Sequence, residues 1–191
     1  MSVACVIVAH ARRKMLVLDT ILPTVLDQGF ASVIVVGDSE PGIGYRHLPV
    51  PDITRTTNDA LVKRDVGALA AGDVDAVLFL SDDHALDPDF LSVFCERYAG
   101  RPWDVLVPSR YCERDGERIY LNVGEDLGYA GGHGAIYRRH ALSACPFSAG
   151  PWDRLWDLYH SHWMIQCGFR FQYADKDLSI VDSEPSASPW L

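Results

Sequence analysis

The chain has 191 residues, 48% of them apolar and 23% charged, with 17 basic against 26 acidic side chains and a net charge of −9. This excludes a disordered, collagen-like or low-complexity protein, and the length suits one domain with a core that needs no disulfide or metal staple. The acidity gives no global pull toward nucleic acid or anionic membrane.

No apolar run approaches the roughly 20 residues of a membrane-spanning helix. Met1 to Ala9 is apolar but lacks the basic flank of a signal peptide. Cys5, Cys95, Cys112, Cys145 and Cys167 are scattered without a CxxC pair, which predicts a reducing, cytoplasmic setting.

Short apolar runs alternate with helical segments, the pattern of an α/β fold with a mostly parallel central sheet. Val3–Ala9 reads as a buried strand. Arg12 to Gln28 has helical spacing, with Met15, Leu18, Leu22, Val25 and Leu26 on one stripe, a break at Pro23 and a stop at Gly29. Ser32 to Val36 is a second strand, and Tyr45 to Val50 a short third. A helix capped by Thr57 carries the stripe Leu61, Arg64, Asp65, Ala68 and Leu69. Ala76 to Leu80 is a central strand running into Ser81-Asp82-Asp83-His84, and Asp87-Pro88 reads as a helix start. Trp103 to Pro108 is a strand, Arg114-Asp115-Gly116-Glu117 a hairpin turn, and Gly131 to Tyr137 a glycine-rich run that becomes a strand. Pro151 to Cys167 is a helix stopped by Gly168; Phe169 to Tyr173 and Leu178 to Val181 close the fold. Residues 183–191 read as an irregular tail beyond a domain spanning 1–182.

Ser81-Asp82-Asp83 is the sharpest chemical feature. It ends a central apolar strand, where open α/β sheets bind ligands. Paired carboxylates in a tight turn suit a hard divalent cation shared with phosphate oxygens. The competing reading is a turn whose aspartates cap backbone N–H groups.

VLFLSDD with the following Asp87-Pro88-Asp89-Phe90-Leu91 resembles the metal-binding "DxD" region of glycosyltransferases of the GT-A fold, family 2 type. Val6 to Arg12 is similar to that family's first strand and nucleotide-contacting turn, and Val33 to Ser39 to its second strand and acidic turn. Lys63-Arg64-Asp65-Val66-Gly67 resembles its "ARNxG" helix. Gly131 to Arg139 resembles its glycine-rich acceptor-side segment, and Trp156-Asp157 with Gly168-Phe169-Arg170 its "ED…GYR" segment.

The resemblance implies a metal-dependent glycosyltransferase that moves a sugar from a nucleotide-diphosphate donor such as a UDP-sugar to an acceptor hydroxyl, with inversion. It implies Asp157 as catalytic base. His10, Arg12, Asp38, Arg64, Asp82, Gly132 and His133 would contact the nucleotide sugar. Asp83, with Asp182 in the region of the family's late ligand, would hold Mn2+ or Mg2+. The division of labour is chemical: the cation offsets charge on the leaving phosphates and the base takes the acceptor proton. Asp153 and His160 share the face of Asp157 and suggest a polar cluster.

Three features depart from the family. Ser81 replaces the first acid of the DxD, Trp156 the acid before Asp157, and no histidine matches the late ligand. The alternatives are a retaining transferase, a sugar nucleotidyltransferase and a non-catalytic nucleotide-sugar binding module. The acceptor is open among glycan, lipid, protein, small metabolite and hydroxymethylated DNA base, and a homo-oligomer is compatible. Arg12-Arg13-Lys14 reads as solvated charge. The aromatics Trp103, Tyr129, Trp152, Trp156 and Trp163 read as packing more than as an acceptor platform.

Overall fold

A computed structural model gives the fold, and it describes residues 1–38, 40–52, 57–122, 134–150 and 156–182. Strands β1 (Val3–Ala9), β2 (Ser32–Gly37) and β4 (Ala76–Ser81) form the centre of a seven-stranded sheet. Their runs are continuously apolar because both faces are covered. Alternate residues go to opposite sides: Cys5, Ile7, Leu78 and Leu80 to one core, Val6, Val77 and Phe79 to the other.

The strand order is β10-β6-β9-β4-β1-β2-β3, with β3 at Arg46–Leu48, β6 at Val105–Val107, β9 at Gly134–Arg138 and β10 at Phe171–Tyr173. Pairings β1/β2, β1/β4, β2/β3 and β6/β10 are parallel; β9 runs antiparallel to both β4 and β6. The mostly parallel sheet agrees with the sequence pattern.

The segment after β1 is a 3-10 turn (Ala11–Arg13), helix α1 (Lys14–Leu16), a π turn (Val17–Ile21) and helix α2 (Leu22–Leu26). Pro23 lies in the first turn of α2, where its missing N–H costs little. The π turn adds a residue and rotates the stripe, so Val17 and Ile21 are buried while Met15 is 62% exposed, contrary to the sequence stripe. Helix α3 (Thr57–Ala70) buries Leu61, Arg64 and Ala68 but leaves Leu69 at the surface. Helix α4 (Phe90–Arg97) starts two residues later than Asp87-Pro88 predicts, with Asp89 as N-cap. The Asp87 carboxylate instead accepts from Tyr111 Oη (2.5 Å) and from Arg118.

A second sheet was not legible in the sequence: β5 (His84–Leu86), β11 (Ser179–Asp182), β7 (Ser109–Arg114) and β8 (Glu117–Asn122), in that order. The β7–β8 turn falls where the Asp-Gly pair predicts, with positive φ at Asp115 (54°) and Gly116 (80°). Helices α5 (Arg139–Ala144) and α6 (Trp156–Gln166) cover the second core. Among the described residues no helix is long and apolar enough to cross a membrane.

Candidate functional site at the switch point of the sheet

From β1 the chain moves outward to β2 and then returns to β4 on the other side of β1. That reversal makes the β1/β4 crevice the topological switch point, where such sheets bind ligands. Register pairs Val8 with Ser81, so His10 and Asp82 emerge side by side at the carboxyl ends.

Asp82 closes the base of this crevice. Its Oδ2 accepts from the His10 backbone N–H (2.8 Å) and lies 2.9 Å from His10 Nδ1. Its Oδ1 accepts from Arg13 Nη1 (3.0 Å), and the same nitrogen donates to Asp83 Oδ2 (2.7 Å). Burial works to raise the Asp82 pKa, but the hydrogen bonds and charge from His10 and Arg13 outweigh it and hold the carboxyl below the usual range.

Asp83 Oδ1 lies 2.5 Å from His84 Nδ1, and His84 Nε2 lies 2.7 Å from Asp182 Oδ1. The second sheet creates this contact, since β11 pairs with β5 so that Asp182 stands opposite His84. Arg110 Nε approaches the same Asp182 oxygen at 3.5 Å. A ring with a carboxylate at each nitrogen is satisfied as the imidazolium. Burial works against that charge, but Asp182 and Asp83 prevail and raise the His84 pKa.

Of the residues expected at the site, His10, Asp82, Asp83 and Asp182 converge here. Asp38 follows the Gly37 end of β2, the strand beside β1, and is half-buried. Arg12 lies in the 3-10 turn after β1, and its side chain is not described; Gly132, His133 and Asp153 lie outside the described residues.

Arg64 and Asp157 belong to a second group, on the α3–α6 side. Arg64 is 4% exposed, its guanidinium carbon 5.0 Å from the ring of Trp156, 5.6 Å from Phe79 and 5.7 Å from Phe147. Asp157 lies in α6, close enough to act electrostatically on Arg64 and Tyr137; residues 151–155 of the expected helix lie outside the described residues. His160 is on the buried face of α6. It is 1% exposed, stacked on Phe147 at 4.6 Å, with Nε2 3.0 Å from the Cys145 carbonyl. Trp103 and Trp156 pack in the cores.

Sequence reasoning missed three residues. Arg13 and His84 adjoin residues it did select. Lys63 is fully buried, its Nζ 2.8 Å from the Ala9 carbonyl and 2.5 Å from Asp52 Oδ1, and so fastens the end of β1 beside the crevice. Gly37 makes room for it: φ is +126°, and a Cβ there would stand 2.0 Å from Ala9 O and 2.8 Å from Lys63 Nζ.

Carboxylate oxygens are the right donors for Mg2+ or Mn2+, but as they stand these residues do not fit such an ion. All four oxygens of Asp82 and Asp83 face His10, Arg13 or His84, and the His84 ring lies between Asp83 and Asp182. Among the described residues no three His, Cys, Asp or Glu side chains form a group able to hold a metal.

No protein-family model matches the chain. No curated protein matches it in sequence. Solved structures do match its fold. S. aureus TarS, residues 1–349, aligns with a TM-score of 0.67 at 13% identity, over 97% of this chain and 61% of that one. A second S. aureus TarS structure also gives 0.67 at 13% identity, over 96% of this chain and 37% of that one. The mannosyltransferase PcManGT from Pyrobaculum calidifontis, in complex with GDP-Man and Mn2+, gives 0.64 at 14%, over 97% and 58%. The fold is that of a GT-A-like glycosyltransferase. The acidic turn lies at the switch point of this shared fold, and the chain spans about three fifths of the shorter TarS structure.

Proposed function

We propose that the chain is a glycosyltransferase that takes a sugar from a nucleoside-diphosphate sugar, such as a UDP- or GDP-sugar, and transfers it to an acceptor hydroxyl with inversion. The observation that carries this reading is the β1/β4 crevice, where His10, Arg13, Asp82 and Asp83 meet at the strand ends of a glycosyltransferase fold. PcManGT, which shares the fold, is described with a nucleotide sugar.

The chain's own residues supply several parts of such a reaction. Asp82 fixes His10 and the turn after β1, so the crevice is formed before the donor arrives. Lys63 holds the end of β1 and Asp52 together, and Asp38 stands at the end of the neighbouring strand for contact with the nucleoside. Arg13 brings a guanidinium suited to phosphate oxygens. Asp157 takes the acceptor proton as general base, as the family resemblance implies; removing such a base costs roughly 100-fold or more in rate.

The engaged state of the Asp82 and Asp83 oxygens favours one second reading, a binding module for nucleotide sugars without turnover. Titration with UDP- and GDP-sugars, followed by product analysis with Mn2+ present, separates the two. Hydrolysis or transfer that falls at least tenfold in Asp83→Ala and in Asp157→Ala supports the enzyme. Binding without turnover supports the module, and full activity in both variants rejects the assignment.

A further inference from the structure

We infer that Arg13 is an internal cation that competes with a divalent ion for the Asp82–Asp83 carboxylates, and that a nucleoside diphosphate relieves the competition by drawing the guanidinium onto its phosphates. The second half rests on the nucleotide-sugar reading; the first rests on the geometry of the turn.

Both carboxylates meet one nitrogen. Arg13 Nη1 is 3.0 Å from Asp82 Oδ1 and 2.7 Å from Asp83 Oδ2, so the guanidinium sits between them as a shared counter-ion. The other oxygens are also engaged: Asp82 Oδ2 by His10, and Asp83 Oδ1 by His84. A divalent ion binds carboxylate oxygen at about 2.0–2.1 Å for Mg2+, closer than the guanidinium stands now. Both cations on Asp83 Oδ2 would repel within a few ångströms, in a turn where Asp82 is 2% exposed and water screens poorly. Ion and guanidinium therefore exclude one another at that oxygen.

The two inner links are the firmer ones. His10 is tied to Asp82 through its backbone N–H, which cannot leave without moving the end of β1. His84 is held on its far side by Asp182. Arg13 is the cation that can move: its side chain is 23% exposed and Asp83 is 25% exposed, so the pair borders solvent. A guanidinium prefers paired phosphate oxygens, which it can bind bidentately. A diphosphate in the crevice offers that partner, and its arrival frees Asp83 Oδ2. Donor and ion then bind with a positive coupling that must be reciprocal.

The test is a Mn2+ titration of the full chain, read as the loss of the free-ion EPR signal, without nucleotide and with UDP or GDP. Arg13→Gln should bind Mn2+ without nucleotide about tenfold or more tightly than the wild type. The further gain from nucleoside diphosphate should shrink by a similar factor in this variant. Adding Asp83→Asn should abolish the new affinity. A natively folded Arg13→Gln protein with unchanged or weaker Mn2+ binding overturns the inference. If Arg13→Gln does not fold, the wild type decides: the Arg13 Nε–H resonance should shift when UDP or GDP and Mg2+ are added together, and an unmoved resonance overturns it. If neither UDP nor GDP binds the wild type, the nucleotide-sugar reading fails. The competition is judged separately, by the nucleotide-free Mn2+ titration.

Discussion

The acidic turn after β4 and the aromatic box around Arg64 each bury an arginine or its contacts beside a histidine, and they differ in how far aromatic rings share in holding it. At the turn, Arg13 and His84 face carboxylates from Asp82, Asp83 and Asp182. In the box, Arg64 faces the rings of Phe79, Phe147 and Trp156, and His160 stacks on Phe147. The two histidines are 3% and 1% exposed, yet their pKa values move in opposite directions. Burial lowers both; the carboxylates reverse the effect at His84, while at His160 the Cys145 carbonyl and Asp65 do not overcome it. Neutralising partners make a charged cluster that an anion or a cation can rearrange. Ring faces make a packed scaffold that holds its cation in place.

The largest expected effect lies in the box. Phe147 is fully buried between Phe79, Tyr137 and His160, so Phe147→Ala should cost about 3–5 kcal/mol in denaturant unfolding. A loss below about 1 kcal/mol would mean the box is not the scaffold drawn here.

Asp82→Ala should cost less, about 1–3 kcal/mol, by removing the acceptor of the His10 N–H and one partner of Arg13. Nucleotide binding should weaken with it. Stability loss without any effect on nucleotide binding would separate the turn from the crevice.

The pH dependence sharpens the contrast between the histidines. The His84 pKa is raised, so its stabilising contribution is complete below the ordinary value of about 6.5 and is lost as pH rises through the folded value. The His160 pKa is lowered, so stability falls as pH drops below about 6.5 toward its folded value. Melting curves between pH 5 and 9 should show His84→Asn flattening the loss on the alkaline side and His160→Asn reducing the loss on the acid side. Identical slopes in both variants would erase the distinction.

The smallest effect marks where the box ends. Leu69 on α3 is 75% exposed, and Leu69→Glu should change stability by no more than about 0.5 kcal/mol.

The strands at the centre were readable because burial on two faces demands unbroken apolar runs, and the position of Ser81-Asp82-Asp83 at a strand end followed directly. The hairpin turn was readable because Asp115-Gly116 accepts positive φ. Met15, Leu69 and the start of α4 were misplaced for local reasons: a π turn, the outer face of a helix, and an aspartate drawn to Tyr111 and Arg118 instead of a cap.

The sequence by itself determined the alternating α/β order, the central apolar strands and the acidic turn, because these depend on the side chains of one short segment at a time. It also carried the family resemblance that the fold matches. Only the tertiary structure decided what faces those acids. Arg13 meets Asp83 across 70 positions of chain through the pairing of β1 with β4. Asp182 meets His84 through the pairing of β11 with β5 in a sheet of short strands that lack a strong apolar pattern. Arg64 was chosen from its motif, but its environment is set by rings contributed by β4, α6 and the turn at Phe147–Ala149. Electrostatic partners act over a few ångströms and are indifferent to sequence distance, so the charge state of the site is fixed by strand register rather than by any one motif.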